Sequence, residues 1–165
     1  MSTIRVRCLL QQCTKATLRL QDDSVVTINR GMVLFVAFLK DAQLDDVNKL
    51  GEGKEQKKKT YFQFVLAKEI ATIKLCETEE GLKTIVDITG DLLIIPQATL
   101  GGRVNGHRFQ YHQNINKDTG LEYYDKFVLN IRELCNKNVV HAGTYGIRQV
   151  YSCETNGPAM HMIEF

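Results

Sequence analysis

The first twenty residues alternate between apolar and polar side chains, and this pattern constrains the fold more than any other feature. The apolar members fall on even numbers, at Ile4, Val6, Cys8, Leu10, Ala16, Leu18 and Leu20. A period of two indicates a half-buried β-strand, or two strands in phase across a bend. Gln12 and Thr14 interrupt the apolar face. They mark either a strand end that meets water or polar groups at the edge of a pocket.

Short apolar runs separated by turn-forming residues predict further strands. The run 32–39 is apolar on both faces, as in a central strand. We predict the others at 24–29, 71–76, 83–87, 92–95, 138–141, 148–153 and 160–165, with a long glycine-containing loop after residue 100.

Two helices are predicted. Asp41 can cap a helix to about Leu50, which resumes over Tyr61 to Ile70 after a polar, basic surface insertion at 51–60. The second begins near Thr119 with a capping-box pattern, and its apolar face consists of Leu121, Tyr124, Phe127 or Val128, Ile131 and Leu134. We expect an α+β fold, with mainly antiparallel, barrel-like strands and two helices in a single domain over residues 1–165.

Composition predicts a soluble protein without metal, cofactor or membrane segment. Of the 165 residues, 44% are hydrophobic and 24% charged, as in ordinary globular domains. The five cysteines are odd in number, form no CxxC pair and follow no secretory signal, so we expect a cytoplasmic protein with reduced thiols. The four histidines lack the spacing of a metal motif, and the longest apolar run is too short to cross a bilayer.

The segment from Pro96 to Gly102 leaves a buried strand and combines turn-forming with polar residues. Proline ends strand pairing, and the two glycines that close the segment allow close approach of a ligand. Backbone N–H groups at such a bend can point together at an oxyanion, with Gln97 and Thr99 adding polar side chains. An ordinary strand exit is the alternative interpretation.

A second candidate is Thr155-Asn156-Gly157-Pro158. Asn-Gly and Gly-Pro are turn formers, so this segment is either a simple hairpin turn or a rigid backbone clamp for a small ligand.

Three basic residues, Arg103, His107 and Arg108, follow the first candidate segment. The net charge of +2 is too small for general electrostatic binding of nucleic acid, so any RNA contact should be local. These residues are either phosphate contacts or part of a solvated loop.

Together these segments resemble the D-aminoacyl-tRNA deacylase family, most closely its animal-specific branch. The resemblance rests on four stretches, LLQQC at 9–13, IIPQATLGGR at 94–103, GTYG with RQV at 143–150, and TNGP at 155–158 with the final IEF. It implies the fold of that family and hydrolysis of the ester bond of wrongly charged aminoacyl-tRNA.

The branch is indicated by two replacements. D-specific members carry Ser-Gln-Phe-Thr where this chain has Pro96-Gln97-Ala98-Thr99, and arginine where it has Gln12. The animal pattern implies a wider pocket, a trans Gly157–Pro158 peptide, and removal of L-alanine from threonine tRNA as well as action on D-aminoacyl-tRNA. Ala159-Met160 departs from the usual residues, which affects the expected size of the pocket.

The resemblance also implies a homodimer in which the Gly-Pro segment of one subunit reaches the pocket of the other. It implies no metal and no side-chain nucleophile. On this hypothesis the N–H groups of Ala98 and Thr99 polarise the ester carbonyl beside Gln97, and the 2′-hydroxyl of the terminal adenosine assists the attacking water. Substrate contacts are expected from Gln12, Pro96, Leu100, Asn156, Gly157 and Pro158, and contacts with the tRNA acceptor end from Arg103, His107 and Arg108.

Two rival functions fit the same residues. One is a catalytically silent RNA-binding or interaction module on the same fold. The other is a cysteine hydrolase that pairs Cys153 with His141 or His161, although a buried cysteine in a strand explains Cys153 better.

Overall fold

The computed structural model describes residues 4–40, 42, 61–157 and 159–165. The predicted helix from Asp41 to about Leu50 (apart from Ala42), the predicted insertion at 51–60 and Pro158 lie outside these residues. The described elements are β1 (Val6–Cys13), β2 (Lys15–Arg19), β3 (Val25–Ile28), β4 (Gly31–Phe38), α1 (Tyr61–Thr72), β5 (Lys74–Thr78), β6 (Gly81–Thr84), β7 (Asp91–Pro96), a 3₁₀ helix (Ala98–Gly101), β8 (Arg103–Asn105), β9 (Arg108–Gln110), α2 (Lys117–Leu134), β10 (Val140–Ala142), β11 (Val150–Glu154) and β12 (Met160–Glu164).

A five-stranded sheet in the order β10-β7-β4-β1-β12 forms the centre of the molecule. β1 runs antiparallel to β4 and β12, whereas β7 runs parallel to β4 and β10. The remaining described sheets, with the orders β11-β2-β3, β5-β6 and β8-β9, are antiparallel throughout. The predicted α+β class with mainly antiparallel strands is confirmed.

Apolar cores lie on both faces of the central sheet, which is why its inner strands are apolar on both sides. Met32 and Leu34 of β4 pack against the helices in one core. Val33, between them, packs against β2 and β3 in the other. The prediction that 32–39 is a central strand is therefore confirmed, and β4 lies between β7 and β1.

The alternating N-terminal segment divides between the two cores. In β1 the even-numbered residues from Val6 to Leu10 are buried on the helix side. Ala16 and Leu18 of β2 are buried in the other core. The buried face changes at Gln11, which is only 7% exposed, so the interruption of the pattern marks the passage of the chain from one sheet to the next.

Two predicted strand boundaries are wrong around α1 and β6. Residues 71 and 72, predicted as strand, end α1, where the Thr72 hydroxyl donates to the Lys68 carbonyl (2.8 Å), and β5 starts only at Lys74. The strand predicted at 83–87 ends at Thr84, because Thr84 and Asp87 exchange two hydrogen bonds of 3.0 Å that close a turn.

The second helix is confirmed, but it begins earlier than the capping-box pattern predicted. Asn116 is the N-cap, and its side chain accepts a hydrogen bond from the Thr119 N–H (3.0 Å). Glu122 pairs with Lys126 instead of closing a capping box. The predicted apolar face is buried from Tyr124 to Ile131 and half-buried at Leu134, whereas Leu121 is 44% exposed and lies outside it.

The long loop predicted after residue 100 contains regular structure. The 3₁₀ helix is followed by the two-stranded ribbon β8–β9, in which Val104 pairs with Phe109. Gly106 turns the ribbon with φ of 59°, a left-handed conformation that glycine adopts without strain. Strands of three residues are too short to produce a clear periodic signal, which explains why the sequence predicted only a loop.

Candidate active site

The chain leaves the central sheet at the end of β7 and enters a tight turn at once. The Gln97 N–H donates to the Val36 carbonyl (2.8 Å), which keeps the turn against β4. The 3₁₀ helix then starts with Leu100 N–H donating to the Gln97 carbonyl (3.2 Å). The N–H groups of Ala98 and Thr99 precede that bond, and neither donates to an acceptor within the described parts of the chain. Two adjacent amides at the turn are therefore free to bind an oxygen atom.

Two side chains from elsewhere in the fold fix the conformation of this turn. Asn114 donates from Nδ2 to the Ala98 carbonyl (2.9 Å), and Arg7 donates from Nη1 to the Leu100 carbonyl (2.8 Å). Gly101 is necessary for the first contact, because a Cβ atom at this position would lie 1.7 Å from Asn114 Oδ1. The free amides consequently belong to a rigid turn.

A cavity of about 360 Å³ opens beside the turn. One wall is formed by Pro96, Gln97 and Ala98, and the far wall comes from the loop 145–148. The remaining lining residues are Val36, Ala37, Phe38, Asn114, Ile115 and Lys117. Thr99 and Leu100 are in the same turn but do not line the cavity. Its mixed polar and apolar lining suits a ligand with both kinds of group.

The far wall begins within the GTYG stretch at 143–146, for which the sequence suggested no role, and continues to Arg148. Gln149 accepts from the Thr144 N–H (2.8 Å) and donates to the Thr144 carbonyl (3.1 Å), which closes the loop on itself. The buried Tyr124 hydroxyl lies 2.9 Å from the Gly143 carbonyl and 3.0 Å from the Ile94 carbonyl. This hydroxyl joins the loop to β7, so both walls of the cavity are held in a fixed relation.

Gln12 lies far from this cavity within one chain. It pairs with Met32 of β4, whereas Pro96 pairs with Val36, four residues further along that strand. At ~3.3 Å per residue the separation along β4 is about 13 Å. The Gln12 side chain donates to the Leu75 carbonyl and lines a different cavity of about 530 Å³, together with Asn156.

The turn that contains Asn156 and Gly157 projects from the molecule. Both residues are exposed, and a Cβ atom at Gly157 would meet no atom within 4 Å. The Gly157 carbonyl accepts from the Thr155 hydroxyl (2.8 Å) and from the Ala159 N–H (2.6 Å), so the turn is closed by its own hydrogen bonds. A single chain does not bring Gly157 to Gln97. The predicted trans peptide involves Pro158, which lies outside the described residues.

The three predicted RNA contacts lie on the β8–β9 ribbon, and all are exposed. Alternation along the two strands separates the ribbon into two faces. Arg103 and Arg108 lie on the polar face, and His107 lies in the turn between the strands. On the other face Val104 and Phe109 are 66% and 64% exposed. The ribbon therefore stands in solvent beyond the 3₁₀ helix.

The thiols do not form a nucleophilic centre in the described part of the chain. Cys8, Cys13, Cys76 and Cys135 are buried, and burial raises the pKa of Cys8 and of Cys13 to about 12. Cys153 is half-buried, and its thiol lies 3.8 Å from the Glu154 carbonyl; no hydrogen bond to a histidine accompanies this contact.

Across the described residues no group of three or more His, Cys, Asp or Glu side chains is placed to hold a metal ion. Nor does any helix found there have the length and apolar character needed to cross a membrane.

Comparison with known proteins decides the family. The family model described as D-Tyr-tRNA(Tyr) deacylase matches residues 9–164. The chain belongs to this family. It is 39% identical to D-aminoacyl-tRNA deacylase 2 of Homo sapiens, a match that covers 98% of this chain and 95% of the human protein. It is 37% identical to the protein of the same name from Danio rerio, over 98% of this chain and all of the other. The family resemblance and its animal branch, predicted from the four stretches, are confirmed.

A solved structure extends the likeness to the fold. The structure entitled "Structural Analysis of a probable eukaryotic D-amino acid tRNA deacylase" superposes with a TM-score of 0.80. The match covers 97% of this chain and 99% of the other at 24% identity, which establishes a shared fold.

Sequence reasoning missed several members of the site. Asn114, Ile115 and Lys117 line the cavity, but no motif marks them. The only sequence signal for Asn114 is indirect, since Gly101 is the residue that makes room for its side chain.

Proposed function

We propose that this chain is a cytoplasmic tRNA-editing hydrolase that cleaves the ester of mischarged aminoacyl-tRNA. The observation that supports this most directly is the pair of amides at Ala98 and Thr99, which donate to no described acceptor and lie on a rigid turn beside the cavity. Hydrolysis of an ester develops negative charge on the carbonyl oxygen, and fixed N–H donors stabilise that charge in the transition state.

In the proposed mechanism the terminal adenosine occupies the cavity, with its ester carbonyl directed at the two amides. Gln97 lines the wall beside the ester and positions the aminoacyl group. An aminoacyl ester is already activated, so positioning and charge stabilisation replace a side-chain nucleophile. The adjacent 2′-hydroxyl of the RNA orients the attacking water.

A homodimer would complete the site. Gln12, Asn156 and Gly157 contact substrate in the proposed complex, yet within one chain they lie away from the cavity beside Gln97. The exposed turn at Gly157 has room for a neighbouring surface, since nothing lies within 4 Å of its added Cβ. We infer that this turn and Pro158 enter the cavity of the partner and select the amino acid.

The proposed substrates are D-aminoacyl-tRNA and L-alanyl-tRNA of the threonine type. Gln12 and the Pro96-Gln97-Ala98-Thr99 stretch support the wider pocket of the animal branch. A trans Gly157–Pro158 peptide, which stays a prediction, would turn the glycine carbonyl away from an L side chain. The pocket should then accept a methyl group and reject large L side chains.

The test compares hydrolysis rates for D-aminoacyl-, L-alanyl- and glycyl-tRNA side by side, with a bulky L-aminoacyl-tRNA as the control. The proposal predicts cleavage of the D-aminoacyl and L-alanyl substrates and survival of the bulky control. Binding of charged tRNA without cleavage of any substrate would favour the silent RNA-binding module. Cleavage of D-aminoacyl-tRNA alone would place the chain with the D-specific enzymes.

A further inference from the structure

Two cations at the rim of the cavity have no role in the mechanism above. Lys117, the first residue of α2, and Arg148, from the far wall, both line the cavity and are both exposed. Neither forms an ion pair with a described carboxylate. Ion pairs among the described residues include Arg7–Glu164, Lys83–Glu80 and Lys126–Glu122. Two cations without a described carboxylate partner therefore line one cavity.

The backbone of the far wall determines where the lysine lies. A Cβ atom at Gly146 would lie 2.8 Å from Cε and 3.4 Å from Nζ of Lys117, so the lysine side chain runs across this glycine. Gly146 also has φ of 73°, which a residue with a side chain adopts only with strain. Glycine at this position thus allows both the turn and the passage of Lys117.

Arg148 is attached to the same rigid loop. It precedes Gln149, whose side-chain amide holds Thr144 through two hydrogen bonds. The loop is further joined to the core by the Tyr124 hydroxyl. Arg148 is consequently presented to the cavity by an anchored segment, which reduces the entropy lost when it binds a ligand.

We propose that Lys117 and Arg148 bind the phosphate on the 5′ side of the terminal nucleotide of the substrate. This inference rests on the proposed function. If the ester carbonyl contacts the amides at the Ala98 wall, the RNA strand must exit the cavity at the 5′ phosphate of the same nucleotide. This phosphate joins the terminal nucleotide to the rest of the acceptor strand. Phosphate oxygens accept strong, charge-assisted hydrogen bonds from ammonium and guanidinium groups. An exposed rim lets the strand continue into solvent.

This contact would let a weakly charged protein bind RNA through a local interaction with one phosphate. With a net charge of +2, general attraction to the polyanion is small. A phosphate bound at the rim also fixes the direction in which the adenosine enters, so it orients the ester with respect to Gln97 and the amides. The third motif of the sequence, GTYG with Arg148, thereby gains a binding role.

The first experiment measures kcat/KM on charged tRNA for Lys117→Gln, Arg148→Gln and the double variant. Lys126→Gln is the matched control, since Lys126 lies on the same helix but pairs with Glu122. Each single variant should lose about 10- to 150-fold in kcat/KM, the size expected for one charge-assisted hydrogen bond. The loss should lie mainly in KM and should lower the salt slope of binding by about one per residue. Arg148→Lys should retain part of the kcat/KM that Arg148→Gln loses.

The second experiment locates the phosphate. D-aminoacyl esters of adenosine and of adenosine 5′-monophosphate are compared as minimal substrates. Wild-type protein and Lys126→Gln should prefer the phosphorylated ester, and the double variant should lose that preference. Because the preference is a ratio within one protein, a general loss of folding cancels from it.

The outcomes separate this inference from the proposed function. Normal KM and salt dependence on charged tRNA in the double variant would overturn the phosphate site while leaving the hydrolase intact. Equal use of the two minimal esters by wild-type protein would overturn it as well. Failure of the wild-type protein to cleave charged tRNA at all would instead refute the proposed function.

Discussion

Gly101 is the residue whose replacement tests the architecture of the turn most sharply. In Gly101→Ala the new Cβ would lie 1.7 Å from Asn114 Oδ1 and 3.0 Å from Leu39 Cδ2, so Asn114 must move. Movement breaks its hydrogen bond to the Ala98 carbonyl. Overpacking costs about 1–3 kcal/mol and the lost hydrogen bond about 0.5–1.5 kcal/mol, so we expect a destabilisation of about 1.5–4.5 kcal/mol.

The catalytic effect should exceed the effect on stability. The broken contact holds the turn that carries the Ala98 and Thr99 amides, and a shift of ~1 Å in such a group can reduce a rate about 100-fold. Urea denaturation gives the free energy of unfolding, and single-turnover hydrolysis of D-aminoacyl-tRNA gives the rate of the chemical step. Gly157→Ala serves as the stability control, since its Cβ meets nothing within 4 Å.

Removal of the clash provides the internal check on this interpretation. Asn114→Ala alone should cost about 1 kcal/mol, and adding Gly101→Ala to it should cost little more, because the clashing atom is gone. Strict additivity of the two substitutions, or a Gly101→Ala protein as stable and as active as wild type, would refute the assignment of Gly101 as the residue that accommodates Asn114.

Three other outcomes follow from the same site. A substrate with a 2′-deoxy terminal adenosine should be cleaved at least about 100-fold more slowly, which is the usual scale of general acid–base assistance. Equal single-turnover rates would exclude assistance from the 2′-hydroxyl of the RNA. Replacing Arg103 and Arg108 by alanine should weaken tRNA binding and lower the salt slope of that binding by about one for each residue. An unchanged slope in a filter-binding titration would show that the β8–β9 ribbon does not contact tRNA. Thiol reagents should leave activity intact, because burial raises the pKa of Cys8 and Cys13 to about 12 and keeps both thiols protonated at neutral pH. An inactive Cys153→Ser protein would restore the cysteine hydrolase as a candidate.

Strong local patterns allowed much of the fold to be predicted. The run 32–39 is apolar on both faces and occupies the centre of the sheet. The three-to-four-residue spacing from Tyr124 to Ile131 gives the buried face of α2. Boundaries were less reliable, because side-chain hydrogen bonds such as that from Thr72 to Lys68 decide where a helix stops. Periodicity does not reveal such bonds.

Only one part of the candidate site, the bend that follows β7, could be predicted from the sequence. The bend at Pro96–Gly102 could be predicted because its proline, glycines and polar residues lie close together in sequence. Its partners could not, since Asn114 and the loop at Tyr145 reach the cavity through the packing of separate elements. The distance between Gln12 and Gln97 depends on strand register along β4, which a single sequence does not specify.

In the proposed mechanism, backbone amides receive the ester carbonyl and no side chain acts as a nucleophile. A crystal structure with a non-hydrolysable D-aminoacyl-amide analogue of the terminal adenosine tests it most directly, through the distances from the carbonyl oxygen to its donors. The account predicts this oxygen about 3 Å from the N–H groups of Ala98 and Thr99, with the Gly157 turn of a second subunit beside the amino acid. A carbonyl bound elsewhere, or a side chain in line to attack its carbon, would contradict it.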